Sequence, residues 1–411
     1  MTTKQTAEEA FLKELEEKLT AFSQFLQEHW GPEESLELLL LIGLGVFLGA
    51  FNTHQVCQIL GLDESGTYEE VGAVSVYHWN KLRRQTLYDL VIPLLQERQG
   101  KSAATHSRDG WVLAVDDTVI ARIATALGYV WKWWSGYAQK VTEGQNVIAL
   151  IVVIGDLVLP LDVRMVSKQG QNLRTKPQIF AEMLDEAERR FGEAGIDIRQ
   201  FQITGDAAYL EREGADWCDA RRVAGVFRGK GNYVFTLGRQ RARASAWKRR
   251  FASWLRPGWG GKDAVYRVAA MSPTFGKVVL VFYRPKESKE RIEYLIVVGL
   301  PLRACEAMRA YHLHHWIEEF WKVQKSVLQV AASSLRGRAG ALACVGIKIL
   351  AYLLLTLVRR GLKKLRRFSQ LTLHQLVHLC PKFVDMRAFL REHFHGRIPA
   401  NYGLDQALDR L

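Results

Sequence analysis

The stretch NVIALIVVIGDLVLPLDVRMV, residues 146–166, decides the fold class of this chain of 411 residues. It reads as two apolar strands that turn at Gly155 and Asp156, because Gly and Asp favour tight turns between β-branched runs. An amphipathic helical pattern follows at 176–195, and a further strand with a turn at 199–210. Two strands, a helix and another strand predict an α/β protein whose mixed sheet is flanked by helices.

The segments on either side extend this pattern. WVLAVDDT, residues 111–118, is a short apolar run that ends in acids, and helical patterns cover 303–331 and 338–360. The polar stretch 98–110 reads as a linker. We therefore predict a helical domain, a mixed α/β region in two pieces, a β-rich segment between those pieces and a C-terminal helical tail, at 1–100, 108–221 with 301–360, 222–300 and 361–411.

Composition narrows the class of protein. Lys and Arg outnumber Asp and Glu by 56 to 43, which gives a formal charge of +13. Such a balance favours a polyanionic partner, nucleic acid before an acidic membrane surface, although a basic enzyme without such a partner has the same balance. The five cysteines form no CxxC pair, which indicates a reducing cytosol. The charged, helix-like N-terminus is unlike a signal peptide.

Two apolar runs, 35–51 and 340–358, resemble membrane spans. The first contains Glu37 and is short, and the second contains Lys348 near its middle. Because a lysine at bilayer depth is costly, both runs read better as buried helices of a soluble protein.

Two other segments are candidates for DNA contact. SVYHWNKLRR, residues 75–84, suits the reading helix of a helix-turn-helix, although small helical bundles give the same pattern. Residues 239–256 contain no acid and interleave basic residues, among them Arg249 and Arg250, with tryptophans. Basic and aromatic side chains together suit phosphate contacts and base stacking, whereas the alternative is a solvated charged face.

Acids at strand ends are the first candidates for chemistry. Asp116 and Asp117 end one predicted strand, and Asp206 follows another, immediately after Gly205. A carboxylate at the carboxyl end of a strand commonly lies at the working edge of a sheet. Each acid taken singly is better explained as a cap or a surface carboxylate.

The helical stretch YHLHHWIEEFWKVQK, residues 311–325, adds a third acid, Glu318. Residues three or four apart share one face of a helix, so one stripe contains Tyr311, His314, Glu318, Lys322 and Lys325. Three carboxylates from distant positions can hold Mg²⁺ or Mn²⁺, and two such ions support in-line phosphoryl transfer.

These motifs resemble the DDE-class, cut-and-paste insertion-sequence transposases. Tyr311, Glu318 and Lys325 match the Tyr, Glu and Lys of the family's Tyr-x2-Arg-x3-Glu-x6-Lys signature, and His314 stands in place of its Arg. LAVDDT and ITGDAAY are similar to its two aspartate strands. The family commonly has Asp-x-Thr, which selects Asp116 as the first aspartate, whereas members with an acid before Asp-Thr would select Asp117. We favour Asp116.

The resemblance implies a ribonuclease H-like catalytic core, at 108–221 with 301–360, that is interrupted by a β-rich insertion at 222–300. The helical domain at 1–100 would bind DNA. Asp116, Asp206 and Glu318 would be the catalytic residues and hold two Mg²⁺ ions, for which Mn²⁺ substitutes. Tyr294, in a strand of the insertion, stands where relatives stack an aromatic side chain on a flipped base. The residues expected to contact DNA are Tyr294, Tyr311, His314, Lys322 and Lys325.

The implied activity is that of a bacterial DNA transposase in the cytoplasm, at the nucleoid. It would bind double-stranded DNA at terminal inverted repeats and at the target, as a homodimer in a synaptic complex, with no membrane. Water would attack the phosphodiester at the element's end, and the freed 3′-hydroxyl would then attack the opposite strand, giving a hairpin, or the target. The alternatives are a non-catalytic DNA-binding protein derived from a transposase and a metal-dependent DNA endonuclease.

Overall fold

The structure is a computed structural model that describes residues 3–30, 43–72, 76–105, 110–122, 128–136, 138–168, 173–257, 264–285, 291–332, 335, 337–363, 368, 370–383 and 385–393. Its α-helices are α1 (Thr3–Trp30), α2 (Thr53–Leu60), α3 (Glu64–Gly72), α4 (Val76–Lys81), α5 (Leu87–Thr105), α6 (Lys176–Glu193), α7 (Arg212–Arg221), α8 (Ala244–Phe251), α9 (Ala304–Ser326), α10 (Gly337–Leu362), α11 (Leu373–Phe383) and α12 (Met386–His393). Its strands are β1 (Trp111–Ala121), β2 (Val130–Ser135), β3 (Lys140–Ile154), β4 (Leu157–Val166), β5 (Phe201–Gly205), β6 (Ala224–Arg228), β7 (Val234–Leu237), β8 (Gln240–Arg243), β9 (Arg256–Pro257), β10 (Ala264–Ser272), β11 (Gly276–Arg284) and β12 (Glu293–Gly299).

Internal contacts divide the chain into two compact units. Unit 1 contains Met1–Thr86, Thr118–Val147 and Phe320–Leu411, and unit 2 contains Leu87–Asp117 and Ile148–Glu319. The division passes through β1, β3 and α9, so each of these elements contributes residues to both units.

The sheet of unit 2 is mixed and flanked by helices, which confirms the predicted α/β class. β1, β5 and β6 lie side by side and parallel, with Leu113 opposite Ile203 and Thr204 opposite Val226. On the far side of β6 the sheet continues antiparallel through β12, β11 and β10, and then through β7 to β8. On the other side β3 pairs with β1, and β4 pairs with β3.

Local sequence explains the elements around this sheet. β3 and β4 turn at Gly155, whose φ of +61° suits a glycine, so the predicted turn is confirmed. α6 begins with a capping box in which Thr175 and Gln178 exchange hydrogen bonds, and it buries Phe180 and Phe191. Burial of each such side chain contributes about 1.5–3 kcal/mol relative to exposure, so α6 is anchored mainly by its apolar face. The helix predicted at 176–195 is confirmed.

Two boundaries differ from the sequence prediction. β1 does not end at its acids but continues to Ala121, so Asp116 and Asp117 lie in the interior of the strand. A polar linker at 98–110 is wrong for residues 98–105, because α5 continues to Thr105. Both errors have one cause. The predictions ended each element where its side chains become polar, but a helix or strand continues as long as its backbone hydrogen bonds do.

Unit 1 is organised around α10, which packs against α1, α3, α4 and α11. The most apolar window of α10 is 94% buried, as in the core helix of a soluble protein. α4, the described part of the predicted reading helix, is followed by a π-helical turn at Leu82–Thr86. Trp79 and Leu82 approach Gly346 of α10, so this face of the segment is used for packing. Arg84 is exposed, whereas the buried guanidinium of Arg83 donates to Asn80 Oδ1.

Several predicted features lie partly outside the described residues. They are the first part of the apolar run 35–51, Ser75 at the start of the candidate reading helix, residues 106–109 of the predicted linker and 394–411 of the tail. The predicted domain boundaries stay predictions.

The interior of α10 contains one charged residue, Lys348, which is 3% exposed. Its Nζ has no hydrogen-bond partner among the described residues. Burial lowers the pKa of Lys348 to about 8, against a slight opposing effect of Cys344. An ammonium group in this position therefore opposes folding at neutral pH.

Replacement Lys348→Met should raise the free energy of unfolding at pH 7 by about 2 kcal/mol, because the apolar side chain carries no desolvation cost. The unfolded lysine binds its proton up to about pH 10.5, so the wild-type protein gains stability between about pH 8 and 10.5. The advantage of the variant should therefore shrink over that range. Urea unfolding across pH measures both effects.

The matched control is Lys140→Met, which removes a lysine from an exposed position. An advantage of Lys348→Met that stays constant from pH 7 to 10.5, or a loss of stability at pH 7, would contradict this account.

Candidate active site

Asp116, Asp206 and Glu318 all belong to unit 2 and lie near one another. Burial raises the pKa of the Asp116 carboxyl well above its usual value, and neighbouring negative charges raise it further. Those charges belong, in order of effect, to Asp117, Asp206 and Glu318. The backbone N–H of Asp117 opposes the shift by donating to the carboxyl. The fold thus concentrates carboxylates from a strand interior, a strand end and a helix.

Asp116 and Asp117 have different partners, as expected for neighbours that point to opposite faces of a strand. Asp117 accepts a hydrogen bond of 2.7 Å from the hydroxyl of Tyr209 and forms an ion pair of 2.6 Å with Lys176 Nζ. No side chain in the described part of the chain donates to the carboxylate of Asp116. Asp117 is thus held in place by its neighbours, whereas Asp116 remains open to a further ligand.

Asp206 follows β5 directly, immediately after Gly205, which is paired with Val115 of β1. The preceding Gly205 is opposite Val115 and Phe227, and a side chain there would press on both. Close packing of the three parallel strands therefore fixes the backbone from which Asp206 projects. Its main-chain carbonyl also accepts the N–H of Tyr209 in the turn that follows.

Glu318 is exposed on α9, and its Oε2 lies 3.1 Å from Nδ1 of His315. The second nitrogen of the same imidazole is 3.6 Å from Glu319. His315 therefore bridges two neighbouring carboxylates on the helix surface. The negative charge of Glu318 helps to raise the pKa of Asp116, while its Oε2 contacts His315.

Tyr311 and His314 form a stacked pair on α9, with ring centroids 5.6 Å apart. His314 is 3% exposed, and its Nδ1 lies 3.5 Å from the hydroxyl of Thr204 on β5. Burial lowers the pKa of His314, although Asp206 and Glu318 oppose the shift, so the imidazole is neutral at pH 7. The ring of His314 thus packs between α9 and β5 and stacks on Tyr311, and its contact with DNA stays a prediction.

Arg228, the last residue of β6, was missed by the sequence reasoning. Its Nη2 is 2.8 Å from Glu293 Oε1. Tyr311 and Asp206 are also close enough to affect its pKa. Burial lowers the pKa of Arg228, but Tyr311, Glu293 and Asp206 together outweigh burial and raise it. The signal that could have found it is the one used for Asp206, a charged residue at the carboxyl end of a parallel strand.

The other predicted residues are dispersed. Lys322 is exposed and Lys325 is half-buried, one and two turns beyond Glu318 on α9. Arg249 and Arg250 are exposed on α8, where Arg250 lies over the ring of Trp247 and contacts Gln240. No short contact joins α8 to the three acids in the described residues.

Tyr294 is fully buried, and its expected stacking on a flipped base stays a prediction. Its ring stacks on Phe282, lies edge-on to Phe235 and covers the backbone of Gly229. Its hydroxyl donates to the carbonyl of Lys230 at 2.6 Å. The ring is therefore part of the packing of the sheet, and the exposed aromatic residue near this region is Trp254, at 50%.

The carboxylate cluster suits a hard divalent cation. Oxygen ligands are those that Mg²⁺ and Mn²⁺ prefer, and a cation would relieve the repulsion that disfavours ionised Asp116. Within the described ranges, no three His, Cys, Asp or Glu side chains are already arranged around a common metal position. Glu318 would have to exchange its contact with His315 for the cation.

The Tyr209–Asp117 contact can be tested by stability. Tyr209→Phe removes a buried hydroxyl that donates to a carboxylate, and should lower the free energy of unfolding by about 2 kcal/mol. Tyr233→Phe is the matched control, because its hydroxyl donates to the neutral carbonyl of Ala207 and should cost about 1 kcal/mol. Denaturant unfolding of both variants would show equal losses if Asp117 were not charged.

Comparison with known proteins adds no assignment to this geometry. Neither the models of protein families nor the sequences of curated proteins match this chain. What the site can do is therefore argued from its own side chains.

Proposed function

We propose that this protein is a DNA transposase of the DDE class. The observation that carries the proposal is that Asp116, Asp206 and Glu318, the three acids of the sequence resemblance, are neighbours in unit 2. A chance match of short motifs would have no reason to bring acids from such distant positions together. Tyr311 and His314, which belong to the same signature, lie beside them.

The fold supports the same reading. A mixed sheet with helices, followed by a long antiparallel β-rich segment before the helix that contains Glu318, is what a ribonuclease H-like core with an insertion requires. In our proposal, the parallel strands β1, β5 and β6 are the centre of that core. Their carboxyl ends present Asp206 and Arg228.

Asp116, Asp206 and Glu318 would hold two Mg²⁺ ions, for which Mn²⁺ substitutes. When bound, such ions activate an attacking water or 3′-hydroxyl and stabilise the leaving oxygen of the phosphodiester. The chain's own contribution is to hold Asp117 away from this task through Lys176 and Tyr209. Glu318 contacts His315 and would exchange this contact for the metal ions when they bind.

DNA contacts in this proposal come from cations and from Tyr311. Arg228 lies among Tyr311 and Asp206, where a guanidinium can bind a phosphate oxygen next to the reacting bond. His314 stands where the family has an arginine, but it is neutral and buried. Arg228 could supply the positive charge that is missing at position 314. Lys322 and Lys325 continue the same helix face, and Arg249 and Arg250 add a second basic surface.

The partners that follow are double-stranded DNA at inverted-repeat ends and at the target, with a second copy of this chain in the synaptic complex. Excision would proceed through a hairpin intermediate, and the protein would act in the bacterial cytoplasm at the nucleoid. A non-catalytic DNA-binding protein and a metal-dependent endonuclease remain the competing functions, and the experiment below separates them.

The decisive measurement is cleavage of a labelled duplex that carries the DNA flanking the gene, in Mg²⁺ or Mn²⁺. The wild-type protein should cut at the element boundary and join the freed 3′ end to DNA. Glu318→Gln and Asp116→Asn should abolish cleavage while leaving DNA binding intact, because each removes a metal ligand but adds no bulk. Asp117→Asn is the matched control and should retain cleavage, since its carboxylate is bound by Lys176 and Tyr209.

Each competing function predicts a different outcome. Cutting without joined products would identify an endonuclease, and tight binding without cleavage on verified ends would identify a DNA-binding protein. Cleavage retained by Glu318→Gln would overturn the assignment of this acid, and loss with Asp117→Asn alone would move the first aspartate to position 117.

The basic surface of α8 is tested by the salt dependence of DNA binding. If Arg249 and Arg250 each contact a phosphate, changing both to Gln should reduce the slope of log K against log salt concentration by about 2. Arg199→Gln is the control, because that exposed arginine is paired with Asp197 in a 3₁₀ turn. An unchanged slope in the α8 variant would assign α8 to a solvated face.

A further inference from the structure

His374 and His378 form a pair of exposed imidazoles on α11 that the proposed function does not use. They are one helical turn apart, and their Nε2 atoms lie 3.3 Å from each other. The ring centroids are farther apart, at 4.4 Å, so the two rings approach each other with their Nε2 atoms.

The helix holds both residues in fixed positions. Thr372 and Gln375 exchange hydrogen bonds at the start of α11, with Thr372 N 2.9 Å from Gln375 Oε1 and Gln375 N 3.1 Å from Thr372 Oγ1. This capping box stabilises the first turn, in which His374 lies. On the opposite side, buried Leu376 and Val377 anchor the helix to unit 1.

The separation of the two nitrogens matches a chelated metal. Zinc binds imidazole nitrogen at 2.0–2.1 Å in tetrahedral geometry, which places two ligand nitrogens about 3.3–3.4 Å apart. The observed 3.3 Å is therefore the separation expected for two zinc-bound imidazole nitrogens. The same distance also fits one imidazole donating its Nε2–H to the other, and a metal ion would replace that single proton.

The surroundings select the class of metal. The pair borders a cavity of about 430 Å³ whose other lining residues are Phe368, Gln370, Leu371, Gln375 and Leu379. The described residues of this lining include no carboxylate and so do not suit Mg²⁺ or Ca²⁺, whereas imidazole nitrogens suit Zn²⁺, Cu²⁺ and Ni²⁺.

We propose that His374 and His378 form a two-histidine binding site for a divalent transition-metal ion of the zinc class. The remaining coordination positions are taken by water or by a donor atom of a ligand in the adjoining cavity. This site is separate in its residues and its chemistry from the carboxylate cluster, and the proposal does not depend on transposase activity.

The test is a Zn²⁺ titration of the full chain by calorimetry, with Co²⁺ absorption as a second readout that reports tetrahedral geometry. The titrations are made with Cys305→Ser, which removes the exposed thiol, and in excess Mg²⁺, which occupies oxygen sites. The chain should bind one ion per molecule at this site. His374→Ala and His378→Ala should each weaken binding by about a hundredfold, because a bidentate site becomes monodentate.

His312→Ala, which removes an exposed histidine from α9, is the matched control and should leave the affinity unchanged. Thermal unfolding without metal checks that the variants fold. Zn²⁺ should raise the unfolding temperature of proteins that retain both His374 and His378, but not that of His374→Ala or His378→Ala. Equal Zn²⁺ affinity after both histidines are replaced, or no binding by the chain that retains them, would overturn the proposal. So would an octahedral Co²⁺ spectrum at saturation.

Discussion

Repulsion between carboxylates that are held close together in a poorly hydrated place is the constraint around which unit 2 is arranged. Asp116 lies among Asp117, Asp206 and Glu318, and the ionised form of its side chain is disfavoured as a result. Neighbouring side chains offset this repulsion at two of the acids. Lys176 neutralises Asp117, and His315 approaches Glu318. Asp116 is left without such a neighbour, which is why a cation is the expected occupant.

Unit 1 depends on a different constraint, the burial of one long apolar helix. α10 gives four other helices a common surface, and close approach at Gly346 lets α4 join them. The same burial isolates Lys348 from water. One unit thus tolerates an unpaired buried charge at a cost in stability, whereas the other concentrates charge where chemistry can use it.

Sequence alone predicted what depends on local periodicity. The two apolar runs in 146–166 predicted β3 and β4, and helical spacing placed Tyr311, His314 and Glu318 on one face of α9. It could not reveal pairings that depend on strand order, so the partners of Asp117 and the position of Arg228 were missed. The burial of Tyr294 was not predicted for a related reason: whether one face of a strand is covered depends on residues that pack from elsewhere, here Phe235 and Phe282.

The first residue of α6 is explained by the charge of Asp117 in the sheet. A lysine at the N-terminal turn of a helix opposes the helix dipole, and Lys176 occupies that position although Thr175 and Gln178 cap the same turn well. Its ammonium group reaches Asp117 instead of solvent. The helix therefore accepts a locally unfavourable residue in exchange for charge balance in the sheet. The identity of residue 176 is therefore determined by a strand far away in sequence, against the preference of helix N-termini for acidic side chains.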